Sequence, residues 1–153
     1  MVNIGEKVAD FSVPATGDKS LSLSDFRDKN LVIYFYPKDD TPGCTMEGLE
    51  FTELMSDFDD LGVAVIGVSK DSCASHRAFR DKYGLGVQLL SDTTGELCER
   101  YGVWQEKEKN GVKKMGIVRS TFLIDKQGML AEAQYGVTAD GHAEDMLERL
   151  RRL

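Results

Sequence analysis

Leu31-Val-Ile-Tyr-Phe-Tyr36-Pro-Lys-Asp-Asp-Thr41-Pro-Gly-Cys44-Thr-Met-Glu47 runs from the longest apolar segment of the chain, through a polar loop, into a helix start. Six consecutive aliphatic and aromatic residues suit a central strand covered on both faces. Pro37, Asp39, Asp40, Pro42 and Gly43 supply turn chemistry. Beyond them Phe51, Leu54, Met55 and Phe58 fall at i, i+3, i+4 and i+7, which predicts one helix with a single buried stripe. A strand that opens through a short loop into a helix is where α/β folds place ligand sites.

Working outward, Val63–Val68 and Thr121–Ile124 are further short apolar runs of the same kind. Met129–Tyr135 follows the latter across Asp125-Lys-Gln-Gly128 and reads as its hairpin partner. Helical patterns lie between and after these strands. One opens near Ser72 and stops at Gly84, with Phe79 and Tyr83 inward. A short one carries Leu97 and Tyr101, and the last runs from about Asp140 with Ala143, Leu147 and Leu150 on one face. The expected fold is α/β, a central mixed β-sheet flanked by helices. No repeat, low-complexity tract or linker divides the 153 residues, so residues 1–153 are read as a single domain.

Composition narrows the function. The chain is 41% apolar and 29% charged, too apolar for a disordered segment. No apolar run approaches the roughly 20 residues that span a bilayer. Met1-Val-Asn-Ile-Gly-Glu-Lys-Val8 shows no basic region followed by an apolar stretch, so a cytoplasmic location is expected. The net charge of −7 opposes phosphate backbones. The basic residues around the Asn110-Gly111 hairpin turn (Lys107, Lys109, Lys113, Lys114) alternate with Glu, and Arg149, Arg151 and Arg152 close the last helix. Both groups read as solvated surface, and no nucleic-acid partner is expected.

Three cysteines, Cys44, Cys73 and Cys98, are too few and too dispersed for a disulfide scaffold or a metal site. His76 and His142 lie on predicted helices among polar neighbours and read as surface residues. Cys44 stands apart, because it falls in the first turn of a helix. There, unpaired amide N–H groups and the dipole stabilise a thiolate and can bring a cysteine pKa to roughly 3.5–7.5. Thr41 offers a hydroxyl nearby, and Pro42 and Gly43 keep bulk low. The alternative is a small residue packed under a loop. A phosphatase would need an Arg soon after Cys44, where Glu47 and Glu50 stand instead. A protease would need a histidine base. A dithiol exchanger would need a second thiol close by.

Pro37-x-x-x-Thr41-x-x-Cys44, with Arg119 in Val-Arg-Ser-Thr-Phe-Leu-Ile-Asp125, resembles the active-site signature of peroxiredoxins. The wording from Tyr34 to Glu47 is similar to the bacterioferritin-comigratory-protein or peroxiredoxin Q branch. Further similarity lies at Gly5 with Asp10-Phe11, Gly67-Val-Ser69, Ser75-His76, Leu90-Ser-Asp92 and Tyr101-Gly-Val-Trp104. The resemblance implies a thioredoxin-like fold and a thiol peroxidase acting on hydrogen peroxide and organic hydroperoxides. It implies that Cys44 is the peroxidatic nucleophile, that Thr41 bonds sulfur and peroxide, and that Arg119 stabilises the developing charge. Pro37 would shape the pocket and Glu47 would position rather than transfer protons. No metal, flavin or nicotinamide cofactor is implied.

The same resemblance implies two usual places for a resolving cysteine, and this chain has Leu49 and Arg80 there. Cys73 lies two helical turns before Arg80, about 10 Å along the axis. It resolves only if a helix unwinds or frays. Cys98, beside Leu97, reads as packing. The expectation is a one-cysteine cycle with thioredoxin, glutathione or glutaredoxin as reductant and a monomeric protein. A two-cysteine cycle through Cys73 or Cys98 and a peroxide-sensing regulator are the alternatives.

Overall fold

In the computed structural model, which describes residues 2–152, the chain opens with a hairpin of Ser12–Ala15 (β1) and Lys19–Ser22 (β2). Asn30–Phe35 (β3) is followed by the helices Pro42–Glu53 (α1) and Met55–Asp60 (α2). Val63–Ser69 (β4), Cys73–Tyr83 (α3), Gln88–Ser91 (β5) and Glu96–Arg100 (α4) come next. Trp104–Lys109 (β6) and Val112–Ile117 (β7) form a separate two-stranded ribbon. Ser120–Ile124 (β8), Leu130–Tyr135 (β9) and His142–Arg151 (α5) complete the chain.

The seven-stranded sheet has the order β2-β1-β5-β4-β3-β8-β9. β3 pairs parallel with β4, Val32 opposite Val65, and antiparallel with β8, Val32 opposite Leu123. The parallel pairing follows from the α1–α2 crossover, since parallel neighbours need a connection that returns along the sheet. The sheet is therefore mixed and flanked by helices.

Period-two alternation along β3 builds two cores. Leu31, Ile33 and Phe35 join Ile66, Val68, Phe122, Leu97, Cys98 and Tyr101. Val32, Tyr34 and the following Tyr36 join Cys44, Phe51 and Phe58, with Phe79 of α3 and Ala143, Met146 and Leu147 of α5. One face of the sheet thus carries α1, α2, α3 and α5, and the other carries α4 and the root of the ribbon. Tyr34 stacks on Phe51 with ring centroids 4.6 Å apart, which anchors α1 to the strand that leads into it. Ser72 caps α3 by accepting from the Ser75 N–H at 3.1 Å, and Gly84 ends it at φ +67°, a conformation that favours glycine.

Several expectations change. The single helix predicted across Phe51–Phe58 breaks at Leu54, whose ψ of 5° tilts the chain into a separate helix, although Phe51 and Phe58 are both buried as the stripe required. β1, β2 and β5 have four residues each, too few to announce a period in the sequence. His76 and His142, read as surface residues, are buried at 0% and 5% exposure. Both exchange water for specific partners: Asp39 and the Leu90 carbonyl for His76, and Thr121 at 2.6 Å for His142. No helix among the described residues is long and apolar enough to cross a membrane.

Candidate active site

The end of β3 and the start of α1 meet below the link between β7 and β8. Thr41, in extended conformation, is the residue before the helix, Pro42 takes the first helical position, and Cys44 is the third residue of α1. Cys44 is 2% exposed. Arg119 reaches it from the two-residue link Val118–Arg119, whose backbone is fixed by the Val137 N–H bonding the Arg119 carbonyl at 2.9 Å. Arg119 Nη2 lies 3.4 Å from Cys44 Sγ, and Nη1 donates to Glu47 Oε1 at 2.6 Å. Cys44 and Glu47 are three residues apart on one helix and therefore share a face. One guanidinium spans both.

Gly43 explains how the guanidinium comes so close. A β-carbon at this position would stand 2.9 Å from Arg119 Nη2 and 3.8 Å from the Ala139 side chain. Any larger residue would push the cation away from the sulfur.

Glu47 is wholly buried. Burial raises its pKa to about 7 from the ordinary 4.5, against the opposing pull of Arg119. Its second oxygen, Oε2, has no hydrogen-bond partner among the described residues. Arg119 loses charge stability through burial, but the Glu47 and Cys44 charges outweigh that and hold it firmly protonated.

The other candidates fall into two groups. Thr41 is partly exposed, and its hydroxyl donates to the Lys38 carbonyl at 2.8 Å rather than to sulfur. Pro37 follows β3, half-buried. Those two sit on the loop beside Cys44. The remaining cysteines do not share the site. Cys98 is fully buried in the core on the opposite face of the sheet. Cys73, half-buried at the first residue of α3, has its sulfur 3.8 Å from the Ala15 carbonyl of β1. β1 lies three strand steps from β3, about 14 Å at the usual spacing.

Sequence reasoning passed over three nearby residues. Lys107, read as solvated surface, donates to the Ile117 carbonyl at 2.8 Å. Burial and the Arg119 charge pull its ammonium pKa down, while the Cys44 charge opposes them. Asp39 and His76 form a buried pair at 2.8 Å. Ligand atoms of Asp39, Asp71 and His76 lie within 4.8 Å of one another, a spacing compatible with a cation. Every one of those side chains is nevertheless already engaged by protein hydrogen bonds. The available signal was the pairing of Ser75-His76 with an acid-rich loop, and periodicity cannot convey it.

The AhpC/TSA family profile matches residues 4–133. The chain belongs to the AhpC/TSA family. It is 43% identical to a putative peroxiredoxin bcp of Coxiella burnetii, over 97% of this chain and 99% of that protein. It is 40% identical to peroxiredoxin Bcp of Bacillus subtilis, over 98% of this chain and 96% of that one. Its fold superposes with a TM-score of 0.94 on a cysteine-to-serine mutant of Xylella fastidiosa PrxQ, at 40% identity and covering 99% of this chain and 97% of that chain. Xanthomonas campestris bacterioferritin comigratory protein, described for its alkyl peroxide reduction activity, gives 0.88 at 40% identity over 93% and 90% of the two chains. This is a thioredoxin-like peroxiredoxin of the Bcp/PrxQ branch, and peroxiredoxins are thiol peroxidases that draw electrons from thiols.

Proposed function

We propose that this peroxiredoxin reduces hydrogen peroxide and organic hydroperoxides through Cys44, in a cycle that uses one cysteine of its own. The observation that carries the reading is the single Arg119 guanidinium held against both the Cys44 sulfur and Glu47. The Cys44 thiolate attacks the terminal peroxide oxygen, the O–O bond breaks, and a sulfenic acid forms. The departing hydroxide or alkoxide takes a proton and leaves as water or alcohol.

Each neighbour has a part in this reading. Arg119 stabilises charge as it shifts from sulfur to the leaving oxygen. Groups of this kind are worth about 10²–10³ in rate. Thr41 turns its hydroxyl from the Lys38 carbonyl to sulfur and peroxide, Pro37 shields the sulfenic acid, and Glu47 fixes the guanidinium. An external thiol then condenses with the sulfenic acid, releasing water, and a second thiol reduces the mixed disulfide. Thioredoxin, glutathione and glutaredoxin fit that role. Supporting a one-cysteine cycle, Leu49 and Arg80 stand at the family's resolving positions, and the whole sheet separates Cys98 from Cys44. A second reading, resolution by Cys73, is favoured by its half-exposed place at a helix start, where fraying is easiest. We place the protein in the cytoplasm as a monomer, with residues 1–153 acting as one domain.

The test is the intact mass of reduced protein after brief exposure to one equivalent of hydrogen peroxide. Gain of one oxygen by the wild type and not by Cys44→Ser is expected. Loss of two hydrogens without dimerisation would mean an internal disulfide, with Cys73 or Cys98 in the cycle. No change in mass would overturn the peroxidase reading. Turnover with added reductant separates an enzyme from a stoichiometric sensor.

A further inference from the structure

The loop over residues 37–41 has Asp40 in the left-handed region at φ +56°, a strained conformation that its surroundings must hold. Asp39 is where they hold it. Tyr36 donates to Asp39 Oδ1 at 2.6 Å from the end of β3. Ser75 and His76, in the first turns of α3, reach Oδ2 at 2.7 and 2.8 Å. The Asp39 N–H donates to Asp71 Oδ2 at 2.8 Å, and the Ser69 hydroxyl donates to the same oxygen at 2.7 Å. At the far end of α3, Lys82 and Tyr83 bond Asp40. The helix α3 is thus a splint along the loop that leads to Cys44.

The proton count in this cluster follows from geometry. His76 Nε2 faces the Leu90 carbonyl at 2.9 Å, and a carbonyl can only accept, so Nε2 carries hydrogen. Nδ1 faces a carboxylate oxygen, which also only accepts. The buried pair therefore holds one proton more than a neutral imidazole beside a carboxylate. Burial pushes the Asp39 carboxyl pKa up, but the bonds from His76, Tyr36 and Ser75 outweigh it and hold the carboxyl below its ordinary range. The titratable groups facing the pair are Tyr36 from β3 and Asp71 from the turn after β4, while β5 contributes a carbonyl.

We propose that Asp39 and His76 are positioning residues, which pin the loop so that the first turn of α1 presents Thr41 and Cys44 in register with Arg119. The proposal rests on the reading of Cys44 as the peroxidatic cysteine. Peroxide attack needs sulfur, hydroxyl and guanidinium aligned on two oxygens, and a misplacement of about 1 Å costs roughly 100-fold in such reactions. Alkylation by a neutral reagent needs only a reachable thiolate. The two reactions therefore separate alignment from thiolate supply.

The experiment compares the second-order rate constants of Cys44 with hydrogen peroxide and with iodoacetamide, at a temperature where circular dichroism shows each variant folded. Asp39→Ala is expected to slow the peroxide reaction at least tenfold while alkylation stays the same or rises. Asp39→Asn is expected to recover the peroxide rate to within about threefold of wild type, because its amide can donate to a neutral His76 and still accept from Tyr36. An unchanged peroxide rate in folded Asp39→Ala, or equal slowing of both reactions, overturns the proposal. If Asp39→Ala does not fold, His76→Gln, which can keep a bond to the Leu90 carbonyl but removes the ring nitrogen facing Asp39, takes its place, and an unchanged peroxide-to-alkylation ratio there overturns it. A wild type inert to peroxide would instead defeat the Cys44 reading itself.

Discussion

Cys44 and Cys98 are the same residue at the same kind of place. Each is the third residue of a helix that starts beyond the end of a central strand, and each is almost fully buried. What faces them differs. At the start of α1 a cation approaches: Arg119 Nη2 stands 3.4 Å from Cys44 Sγ. At the start of α4 an anion already occupies the place. Asp92 accepts from the Leu97 N–H at 3.1 Å and from the Cys98 N–H at 2.8 Å. Burial pushes the Cys98 thiol pKa well up, and the Asp92 carboxylate pushes it further. A helix start therefore does not by itself make a cysteine reactive. In our reading of Cys44 as the peroxidatic thiol, the charge placed against the sulfur is what sets it apart.

The largest effect should separate the two sulfurs outright. Cys44→Ser is expected to abolish peroxide consumption, while Cys98→Ser leaves the rate within about twofold, read by loss of peroxide with an added thiol reductant. Comparable losses from both substitutions would break the comparison. Arg119→Met, which keeps stem length and removes the charge, should lower the rate about 10²–10³-fold. A drop below tenfold would mean that the cation contributes little.

This contrast was half legible in the sequence. The β3–loop–α1 stretch declared itself because a strand of six apolar residues, a Pro/Gly loop and a helical stripe are local signals. Cys98, read as packing from its place beside Leu97, lies buried with Leu97 in the core. Arg119, 75 residues from Cys44, had no local signature and entered through the resemblance. Asp92 was quoted as part of a matching motif, but nothing in its neighbours says that it caps the start of α4. His76 and His142 misled for the same reason. Polar neighbours on a helix suggest solvent, whereas both rings are satisfied by groups 37 and 21 positions away. Tertiary partners override local polarity wherever a buried polar atom finds one.

The pH dependence of stability offers a second way to sharpen the contrast. Burial brings the Glu47 carboxyl to about 7 in the fold from its ordinary 4.5. A raised carboxyl pKa means that the native state binds the extra proton, so this contribution is full below the unfolded value and is lost as pH rises through about 7. The span corresponds to about 3 kcal/mol. Burial lowers His142 from 6.5 to about 4, so its native state resists a proton that the unfolded chain accepts. That contribution is present above 6.5 and is lost as pH falls towards 4, again about 3 kcal/mol. Between pH 4.5 and 6.5 the two slopes cancel. Urea denaturation of Glu47→Gln should therefore reveal the His142 slope, with stability falling as pH falls through that window. A flat profile in the variant would show that His142 does not titrate in this way.

The smallest effect concerns the quiet end of the comparison. In Asp92→Ala the Leu97 and Cys98 N–H groups lose their acceptor in a buried setting, which should cost about 1–2 kcal/mol of stability. Asp92→Asn keeps an acceptor oxygen and removes the negative charge, so its cost should be smaller. Its Cys98 thiol should also lie closer to the ordinary range. Neither change brings a cation to Cys98, so peroxide should still oxidise Cys44 alone, as read by mass mapping of the oxidised site. Oxidation at Cys98 in folded Asp92→Asn would mean that removing an anion is enough to activate a helix-start cysteine. The part assigned to Arg119 would then shrink to holding Glu47 in place.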